Sequence, residues 1–491
     1  MAAQIARGNG GCGGATADAP AIYRPALQGP GGLNNLVQRA AELRATQHME
    51  EALDTIRKAV TLNPDDPRAA FGLAQISFEC WQPAADLFAK ARQLVPANAD
   101  IIRNHALALA AEGETSSAQL LLEETLAATP GWVEGHRILA VQRITEGDGT
   151  DFDRSFVIAA KAEPQNVALY MAWFQLHAQR KDWERAANVL RGAQGRLPGN
   201  RTLELAALYL ASESGDARND RTLFDTVADV ADPGIDLCRV RHHLRAGDPN
   251  RAMAIAERHL TGPTARMFWP YLALCWRLLD DPRAAWLDGA PIFATALDLE
   301  FSPSELDELA EVLRGLHRLK APYPDQSVRG GTQTDRQLFF HPHPAIQKTR
   351  QKVSAAVQSF IDALPAQDAD HPLLGPLRNQ PLLFEGSWSV RLAGDGYHAA
   401  HTHVMGWISS ALYIVVPEPD VAGPAPAGHL ALGAPPPELK LGLPPYRHIE
   451  PKPGRLALFP STLWHGTEPF AEGERMTIAV DIRIPPIIKA F

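Results

Sequence analysis

Proline recurs at a near-constant interval through the first part of this 491-residue chain. Successive prolines stand 32, 34, 34 and 34 residues apart, at Pro64, Pro96, Pro130, Pro164 and Pro198. Two less regular prolines, Pro233 and Pro263, continue the series. Because proline ends a helix and starts a turn, the spacing predicts a stack of short helix pairs.

Side chains at three fixed distances before each regular proline are small, large and small in turn. Twelve residues before the prolines stand Ala52, Ala84, Ala118, Phe152 and Ala186. Eight residues before them stand Ile56, Phe88, Leu122, Phe156 and Leu190. Five residues before them stand Ala59, Ala91, Thr125, Ala159 and Ala193. The small residues allow two helices to approach closely, and the large residue fills the groove between them.

This pattern resembles the tetratricopeptide repeat, a helix pair with a period of 34 residues. The segment from Gly72 to Pro96 matches best, whereas Phe152 replaces a small residue and the first helices lack the usual tryptophan and tyrosine. Two degenerate pairs, marked by Ala252 and Ala284, extend the repeats over residues 33–290. The resemblance implies an all-α superhelix whose concave face binds a peptide or protein, or serves only as a scaffold or dimer surface.

Composition excludes several classes of protein. The net charge of −9 argues against nucleic acid as a partner, and no apolar run is long enough to span a membrane. Residues 1–32 are rich in Gly and Ala, lack the features of a secretion signal, and are predicted to be a disordered tail. The four cysteines are scattered, as in a reducing compartment, so we predict a cytoplasmic protein and no particular oligomeric state.

The character of the sequence changes after the repeats. Residues 291–335 read as a linker, with a helix that a serine caps at Ser302 and a polar, Gly-rich loop from Pro322 to Thr334. In residues 336–491 an amphipathic helix from Pro344 to Leu364 precedes short, alternating segments separated by Pro- and Gly-rich turns. These segments indicate a β-barrel or sandwich, so the chain is predicted to be a multidomain α + β protein.

Three histidines in the β region form a candidate metal site. On a strand, His401 and His403 would project from the same face, and His465 lies at the predicted end of another strand. Imidazole nitrogen is a good ligand for iron, zinc or copper, and three ligands on one face leave positions open for substrate and dioxygen. His398 has the opposite strand parity to His401 and is therefore kept out of the ligand set.

An arginine and a threonine follow ten and twelve residues after the third histidine. Arg475 and Thr477 would share one face of a strand, where guanidinium and hydroxyl can both donate to a carboxylate. The pair therefore predicts an anion-binding position beside the metal.

From Pro324 to Pro485 the chain resembles the 2-oxoglutarate and iron(II)-dependent oxygenases, in a bacterial branch often joined to tetratricopeptide repeats. The resemblance lies in QSVRGGTQT, GSWSVRLAGDGYHAAHTHVMGWISSALYIVVP, PGRLALFPSTLWHGTEPF and ERMTIAVDIRIP. It implies a double-stranded β-helix (a jelly-roll or cupin-like fold), with Fe(II), 2-oxoglutarate and dioxygen as cofactor and co-substrates. It assigns His401 and His465 to the iron, and Arg475 with Thr477 to the distal carboxylate of 2-oxoglutarate.

The chain departs from the family at the second ligand position. Most such oxygenases have His-x-Asp or His-x-Glu, whereas this chain has His403. Direct ligation would give an all-imidazole site that retains the full charge of the metal. The alternative places His403 outside the ligand set and completes the sphere with water or a remote carboxylate such as Asp395.

Weaker expectations concern the surroundings of the site. Tyr413 donates to 2-oxoglutarate or is a buried core tyrosine, and Trp407 and Ser409 line the pocket or belong to the barrel core. Arg329 and Gln333, in the predicted Gly-rich loop, cover the site as a lid or belong to a simple turn.

The sequence therefore predicts a dioxygenase that hydroxylates a peptide or protein recruited by the repeats. Its catalytic residues are those of the metal centre. Two alternatives are a cupin-like metalloenzyme that does not use 2-oxoglutarate and a non-enzymatic repeat scaffold with an inactive barrel.

Overall fold

The computed structural model describes residues 32–217 and 219–486. The predicted disordered tail therefore lies outside the described residues, apart from Gly32. The described chain forms two compact units, one of residues 32–169 with 336–347 and one of 170–335 with 348–486. The domain boundaries predicted at residues 290 and 335 rest on the repeats and on local sequence character. They stay predictions, because the two compact units are defined by contacts instead.

The first unit is a row of short helices separated by tight turns. Its helices are α1 (Leu33–Ala45), α2 (Met49–Leu62), α3 (Pro67–Glu79), α4 (Ala85–Leu94), α5 (Ala99–Ala111), α6 (Thr115–Ala128), α7 (Val133–Thr145), α8 (Arg154–Ala162) and the start of α9 (Val167–Gln179). The large residues of the repeat pattern are buried with at most 1% exposure: Ile56, Phe88, Leu122 and Phe156. This packing confirms the predicted helical repeats.

Further helices belong to the second unit. They are α10 (Trp183–Arg196), α11 (Arg201–Glu213), α12 (Pro233–Arg245), α13 (Pro249–Ala256), α14 (Ala265–Leu278), α15 (Pro303–Leu316), most of α16 (Pro344–Ala363) and α17 (Pro419–Ala422). After α14 the expected partner helix is reduced to a π-turn at Ala285–Gly289. The predicted linker helix is confirmed as α15, where Ser302 and Glu305 form a reciprocal capping box.

The β region forms two antiparallel sheets. The strands are β1 (Thr295–Asp298), β2 (Val328–Gln333), β3 (Phe384–His398), β4 (Gly406–Val415), β5 (Leu430–Leu432), β6 (Arg447–Ile449), β7 (Arg455–Pro460), β8 (His465–Thr467) and β9 (Arg475–Arg483). The larger sheet has the order β1-β7-β4-β9-β3-β2 and the smaller the order β6-β5-β8. An antiparallel β domain thus follows the helical repeats, as the predicted fold class requires.

The expected Gly-rich loop is wrong in part, because residues 328–333 form the edge strand β2. Gly330 has a φ of +69°, and the pairing of β2 with β3 shifts register between Arg329 and Gly331. A side chain at Gly331 would place its Cβ 2.2 Å from the carbonyl oxygen of Arg391. The two glycines therefore make a bulge and a close strand approach, where the sequence suggested a turn.

Helix α14 and the β region share one hydrophobic core. Phe268, Leu272 and Trp276 are buried in the same cluster as Leu439 and Trp464. The indole of Trp464 donates to the carbonyl of Pro270 in the middle of α14, at 2.9 Å. The last helices of the repeat region are therefore part of the unit that carries the sheets.

None of the helices in the described residues has the length and apolar character that crossing a membrane requires.

Two leucines on α6 test the predicted packing of the repeats. Leu122 is 0% exposed and Leu120 is 55% exposed. We expect Leu122→Ala to lower the free energy of unfolding by ~2–5 kcal/mol, because it removes buried methyl groups and leaves a cavity. Leu120→Ala, the same change two residues away, should change it by less than ~0.5 kcal/mol. Urea-induced loss of helical circular dichroism measures both, and equal shifts would contradict the packing.

Candidate metal centre

Backbone pairing brings the three candidate histidines together. The backbones of His401 and His465 exchange two hydrogen bonds, with N···O distances of 2.9 and 3.0 Å, as an isolated antiparallel bridge. Directly paired residues project their side chains from one face of the ladder. The backbone N–H of His403 donates to the carbonyl of Ser461 at 2.8 Å, which holds the third imidazole beside the other two.

The geometry of the histidine group suits a metal ion. One potential ligand nitrogen from each imidazole lies within 4.8 Å of the other two. Ring centroids are 4.3 Å apart for His401 and His465 and 4.9 Å apart for His401 and His403. Strand β3 ends at His398, so His401 lies in an isolated bridge and His403 in irregular backbone, and not in the regular strand that their spacing suggested.

Each of the three imidazoles has its Nδ1 atom engaged by an oxygen acceptor. His401 Nδ1 bonds the carbonyl of Ala399 at 2.8 Å, and His465 Nδ1 bonds that of Leu463 at 2.9 Å. His403 Nδ1 bonds a carboxylate oxygen of Asp481 at 2.5 Å. Because these oxygens accept, Nδ1 carries a proton in each ring, which leaves Nε2 as the nitrogen that can bind a metal. The Nε2 atom of His401 also lies 3.3 Å from the hydroxyl of Ser327. Outer partners of this kind orient the histidine ligands of metal sites.

Burial keeps two of these imidazoles uncharged. The pKa values of His401 and His465 lie well below the ordinary range, chiefly because burial penalises the charged form and also because neighbouring histidines repel it. A metal ion needs the neutral ring, so at neutral pH neither of these imidazoles carries a proton that a metal would have to displace.

Asp481 is the site residue that the sequence reasoning missed. Its carboxylate accepts from His403 and, at 2.6 Å, from the hydroxyl of Ser409. The proposed remote carboxylate, Asp395, is exposed and lies outside the group of candidate ligands among the described residues. The signal for Asp481 was its strand parity, since it stands four residues after Thr477 on the same face of β9.

Trp388 is a second residue that the sequence did not single out. Its ring stacks on His403 with a centroid distance of 5.5 Å and an interplanar angle of 26°. The imidazole of His403 is therefore held by an aromatic face as well as by the Asp481 carboxylate.

The predicted anion-binding residues are buried next to one another. Arg475 and Thr477 are 2% and 3% exposed, and Tyr413 pairs with Thr477 in the register of β4 and β9. The guanidinium carbon of Arg475 lies 4.9 Å from the centre of the Tyr413 ring. Within the described part of the chain, Arg475 Nε has no hydrogen-bond partner, and the Tyr413 hydroxyl interacts with the Arg475 guanidinium, which opposes the rise in its pKa that burial causes. Buried polar atoms without partners are costly, so this corner is suited to an anion.

The anion-binding corner lies close to the histidines. Burial and then the positive charge of Arg475 lower the pKa of His398 to about 3. The His398 ring stacks with that of His401 at a centroid distance of 5.8 Å. His398 bonds the hydroxyl of Ser327 through Nδ1 and lies outside the candidate ligand group.

The remaining predicted residues take structural positions. The indole of Trp407 donates to the carbonyl of Leu373 at 2.8 Å, and Ser409 bonds Asp481. Arg329 donates to the carbonyls of Gln326 and Val328, and Gln333 pairs with Val390 across β2 and β3. A lid formed by Arg329 and Gln333 stays a prediction, now for an edge strand.

The residues present fit both a metal ion and a dicarboxylate. One nitrogen from each of the three histidines lies within 4.8 Å of the other two, and Arg475 is buried against Tyr413. The metal would bring two positive charges and Arg475 one, against one negative charge of Asp481. This excess of positive charge favours a dianion as the second ligand.

Comparison with known proteins points to the same segment. Residues 386–481 match the model of the family described as "Putative 2OG-Fe(II) oxygenase". The match spans all three histidines together with Arg475 and Asp481. No curated protein gives a significant match to the chain.

Solved structures of two kinds are similar to parts of the chain. A prolyl-4-hydroxylase from Pseudomonas putida is 14% identical, covers 43% of this chain and 100% of its own, and has a TM-score of 0.28. HygX from Streptomyces hygroscopicus, solved with nickel and 2-oxoglutarate, is 12% identical over 41% of this chain and 85% of its own, with a TM-score of 0.28.

A tetratricopeptide repeat protein from Parabacteroides merdae is 15% identical over 50% of this chain and 98% of its own, with a TM-score of 0.32. The family match remains the finding that relates the metal centre to known proteins. By that match, the segment from residue 386 to 481 is similar to the 2OG-Fe(II) oxygenases.

Proposed function

We propose that this protein is an Fe(II)- and 2-oxoglutarate-dependent dioxygenase that hydroxylates its substrate. One observation carries the proposal: three imidazoles with oriented Nε2 atoms lie beside a buried arginine whose Nε has no partner in the described chain. A metal site alone would explain the histidines, and an anionic ligand beside it would also give the buried Arg475 a charged partner.

In this proposal His401, His403 and His465 hold the iron through Nε2. Arg475 binds the distal carboxylate of 2-oxoglutarate, and Thr477 and Tyr413 donate further hydrogen bonds to it. With iron and 2-oxoglutarate bound, the chemistry supplied would be oxidative decarboxylation of 2-oxoglutarate by dioxygen, coupled to hydroxylation of a C–H bond of the substrate. The chain contributes orientation, a buried setting and the charges that favour a dianion.

Asp481 supports His403 as the third ligand. The carboxylate that the family usually supplies as a ligand is replaced by an imidazole, and Asp481 bonds the far side of that ring. The negative charge therefore stays near the metal while an imidazole nitrogen occupies the ligand position. A carboxylate hydrogen-bonded to a histidine ligand makes that ligand more basic and fixes its ring orientation.

We further propose that the substrate is a peptide or protein recruited by the helical repeats, and that the enzyme works in the cytoplasm. The stacked helix pairs of the first unit support the recruitment of a peptide or protein. The free thiols of Cys80, Cys238 and Cys275 support the cytoplasmic location. A cupin-like enzyme that does not use 2-oxoglutarate would leave Arg475 unexplained, and an inactive scaffold would leave the oriented imidazoles unexplained.

Succinate formation tests the proposed reaction. The protein purified without oxygen should bind Fe(II) and then 2-oxoglutarate, and should release succinate when exposed to air. Binding is measured separately, because turnover without the true substrate is expected to be slow. Failure to bind either Fe(II) or 2-oxoglutarate would contradict the proposal.

Two arginines on β9 provide a matched test of the anion-binding corner. Arg475 is 2% exposed, whereas the side chain of Arg483 is 45% exposed and bonds Glu385. Arg475→Ala should weaken 2-oxoglutarate binding by about 10- to 150-fold, the equivalent of ~1.5–3 kcal/mol, with the metal retained. Arg483→Ala should leave it unchanged. Anaerobic titration calorimetry measures both, and equal affinities would rule out Arg475 as the anchor.

Substitutions at His403 and Asp481 test the all-imidazole site. Asp481→Asn should lower Fe(II) affinity by about 10- to 100-fold, because the ring of His403 loses its charged partner. His403→Ala should lower the affinity further, because it removes a ligand. His448 on β6 bonds Glu468 and lies outside the candidate ligand group, so His448→Ala serves as the control and should have no effect. Unchanged iron affinity in His403→Ala would show that the all-histidine site is wrong.

A further inference from the structure

One arginine of the last repeat helix reaches the backbone beside the metal centre. Arg266 lies in the first turn of α14 and donates through Nε to the carbonyl of Val404 at 3.0 Å. Its Nη1 donates to the carbonyl of Pro372 at 3.1 Å, and its Nη2 donates to that of Gly406. A single guanidinium thus joins three backbone carbonyls from two segments of the β region.

Arg266 makes these contacts as a cation. Burial lowers its pKa to about 10, so it stays protonated at neutral pH. Among the described residues no carboxylate forms a salt bridge with it, and the three carbonyls are its recorded acceptors. Hydrogen bonds from a charged donor are stronger than neutral ones, and the planar fork of arginine can serve several acceptors at once.

Two of the three carbonyls that Arg266 binds, those of Val404 and Gly406, belong to the turn that follows His403. This turn is closed by the Gly406 N–H, which donates to the carbonyl of His403 at 3.0 Å. Of the residues after His403, Val404 and Gly406 direct their carbonyls to Arg266. The next residue, Trp407, donates through its indole to the carbonyl of Leu373, which is the neighbour of Pro372. The turn is therefore held against the segment 372–373 and against α14.

The position of His403 depends on this turn. Its backbone is fixed on one side by the bond to Ser461 and on the other by the turn itself. Metal sites tolerate deviations of only about 0.2 Å in ligand distances, so a small displacement of the turn would reduce the fit of His403 Nε2.

We propose that Arg266 is a positioning residue of the metal centre: from α14 it holds the turn 403–406 so that His403 keeps its ligand position. The proposal rests on the metal centre described under Proposed function. It makes metal binding depend on a helix outside residues 386–481, the segment that matches the oxygenase family. It also gives the last repeat helix a role in the chemistry of the site, in addition to packing.

Arg277 on the same helix provides the control. It donates to two backbone carbonyls, those of Gly433 and Pro444, and stacks on Tyr446 at 4.2 Å, away from the turn 403–406. Both Arg266→Lys and Arg277→Lys keep the positive charge but lose the fork that reaches several carbonyls. They should therefore cost similar folding stability while differing in their effect on the metal.

The experiment measures Co(II) binding to the full-length protein, by calorimetry and by the visible absorption of the bound ion. Arg266→Lys should weaken binding by about 10- to 100-fold and alter the absorption, as loss of an outer partner does in metal sites. Arg277→Lys should match the wild type in both. If Arg266→Lys folds and binds Co(II) with wild-type affinity and absorption, the role of Arg266 is overturned. If the wild type itself binds no Co(II), the proposed metal centre fails instead.

A measurement on the wild type covers the case in which Arg266→Lys does not fold. Coupling between two sites is reciprocal, so Co(II) should slow amide hydrogen exchange in the first turn of α14 as well as in the turn 403–406. The segment around Arg277 should show no such change. Metal-dependent protection of residues 401–406 without protection at the start of α14 would overturn the proposal.

Discussion

The candidate site depends first on the backbone pairing of His401 with His465. These residues are 64 positions apart, and their two mutual hydrogen bonds place both imidazoles on one face. The bridge also links the end of β3 to β8, so it connects the larger sheet to the smaller one. His403 joins the other two rings through its own contacts, the backbone bond to Ser461 and the side-chain bond to Asp481.

Strand β9 supplies the electrostatic complement to the histidines. One face of it carries Arg475 and Thr477 at one end and Asp481 at the other. Arg475 is buried, and its Nε has no hydrogen-bond partner among the described residues. The carboxylate of Asp481, in contrast, accepts hydrogen bonds from both His403 and Ser409. A single strand thus contacts the candidate ligand His403 through Asp481 and also carries Arg475, the candidate anion-binding residue, so it links the two halves of the proposed site.

The helical repeats and the β region are less separate than a two-domain description implies. Trp464, which stands directly before His465, is buried in the same hydrophobic cluster as residues of α14, and its indole donates to the carbonyl of Pro270. Arg266, four residues earlier on the same helix, bonds the turn after His403. Two of the three candidate ligands therefore have neighbours that α14 holds in place. This arrangement accounts for the second compact unit, which includes the last helices together with the sheets.

The sequence by itself determined the helical repeats, because the periodic Ile56, Phe88 and Leu122 have to be buried between helices whatever else the chain does. It also determined the capped helix at Ser302, since capping is a local interaction. It singled out the candidate ligands through residue type and spacing. The first two of these inferences depend only on neighbours within one repeat or one helical turn.

Tertiary structure decided the rest. Gly330 and Gly331 read as a turn, but pairing with β3 made them a bulge in an edge strand. Asp395 stood closer in sequence to the histidines than Asp481, yet strand pairing exposed the first and brought the second to His403. The bonds of Arg266 to Val404 and Gly406 span about 140 residues and end on backbone carbonyls, which every residue carries. No sequence pattern marks such acceptors, so only the folded chain shows which of them a buried cation will bind.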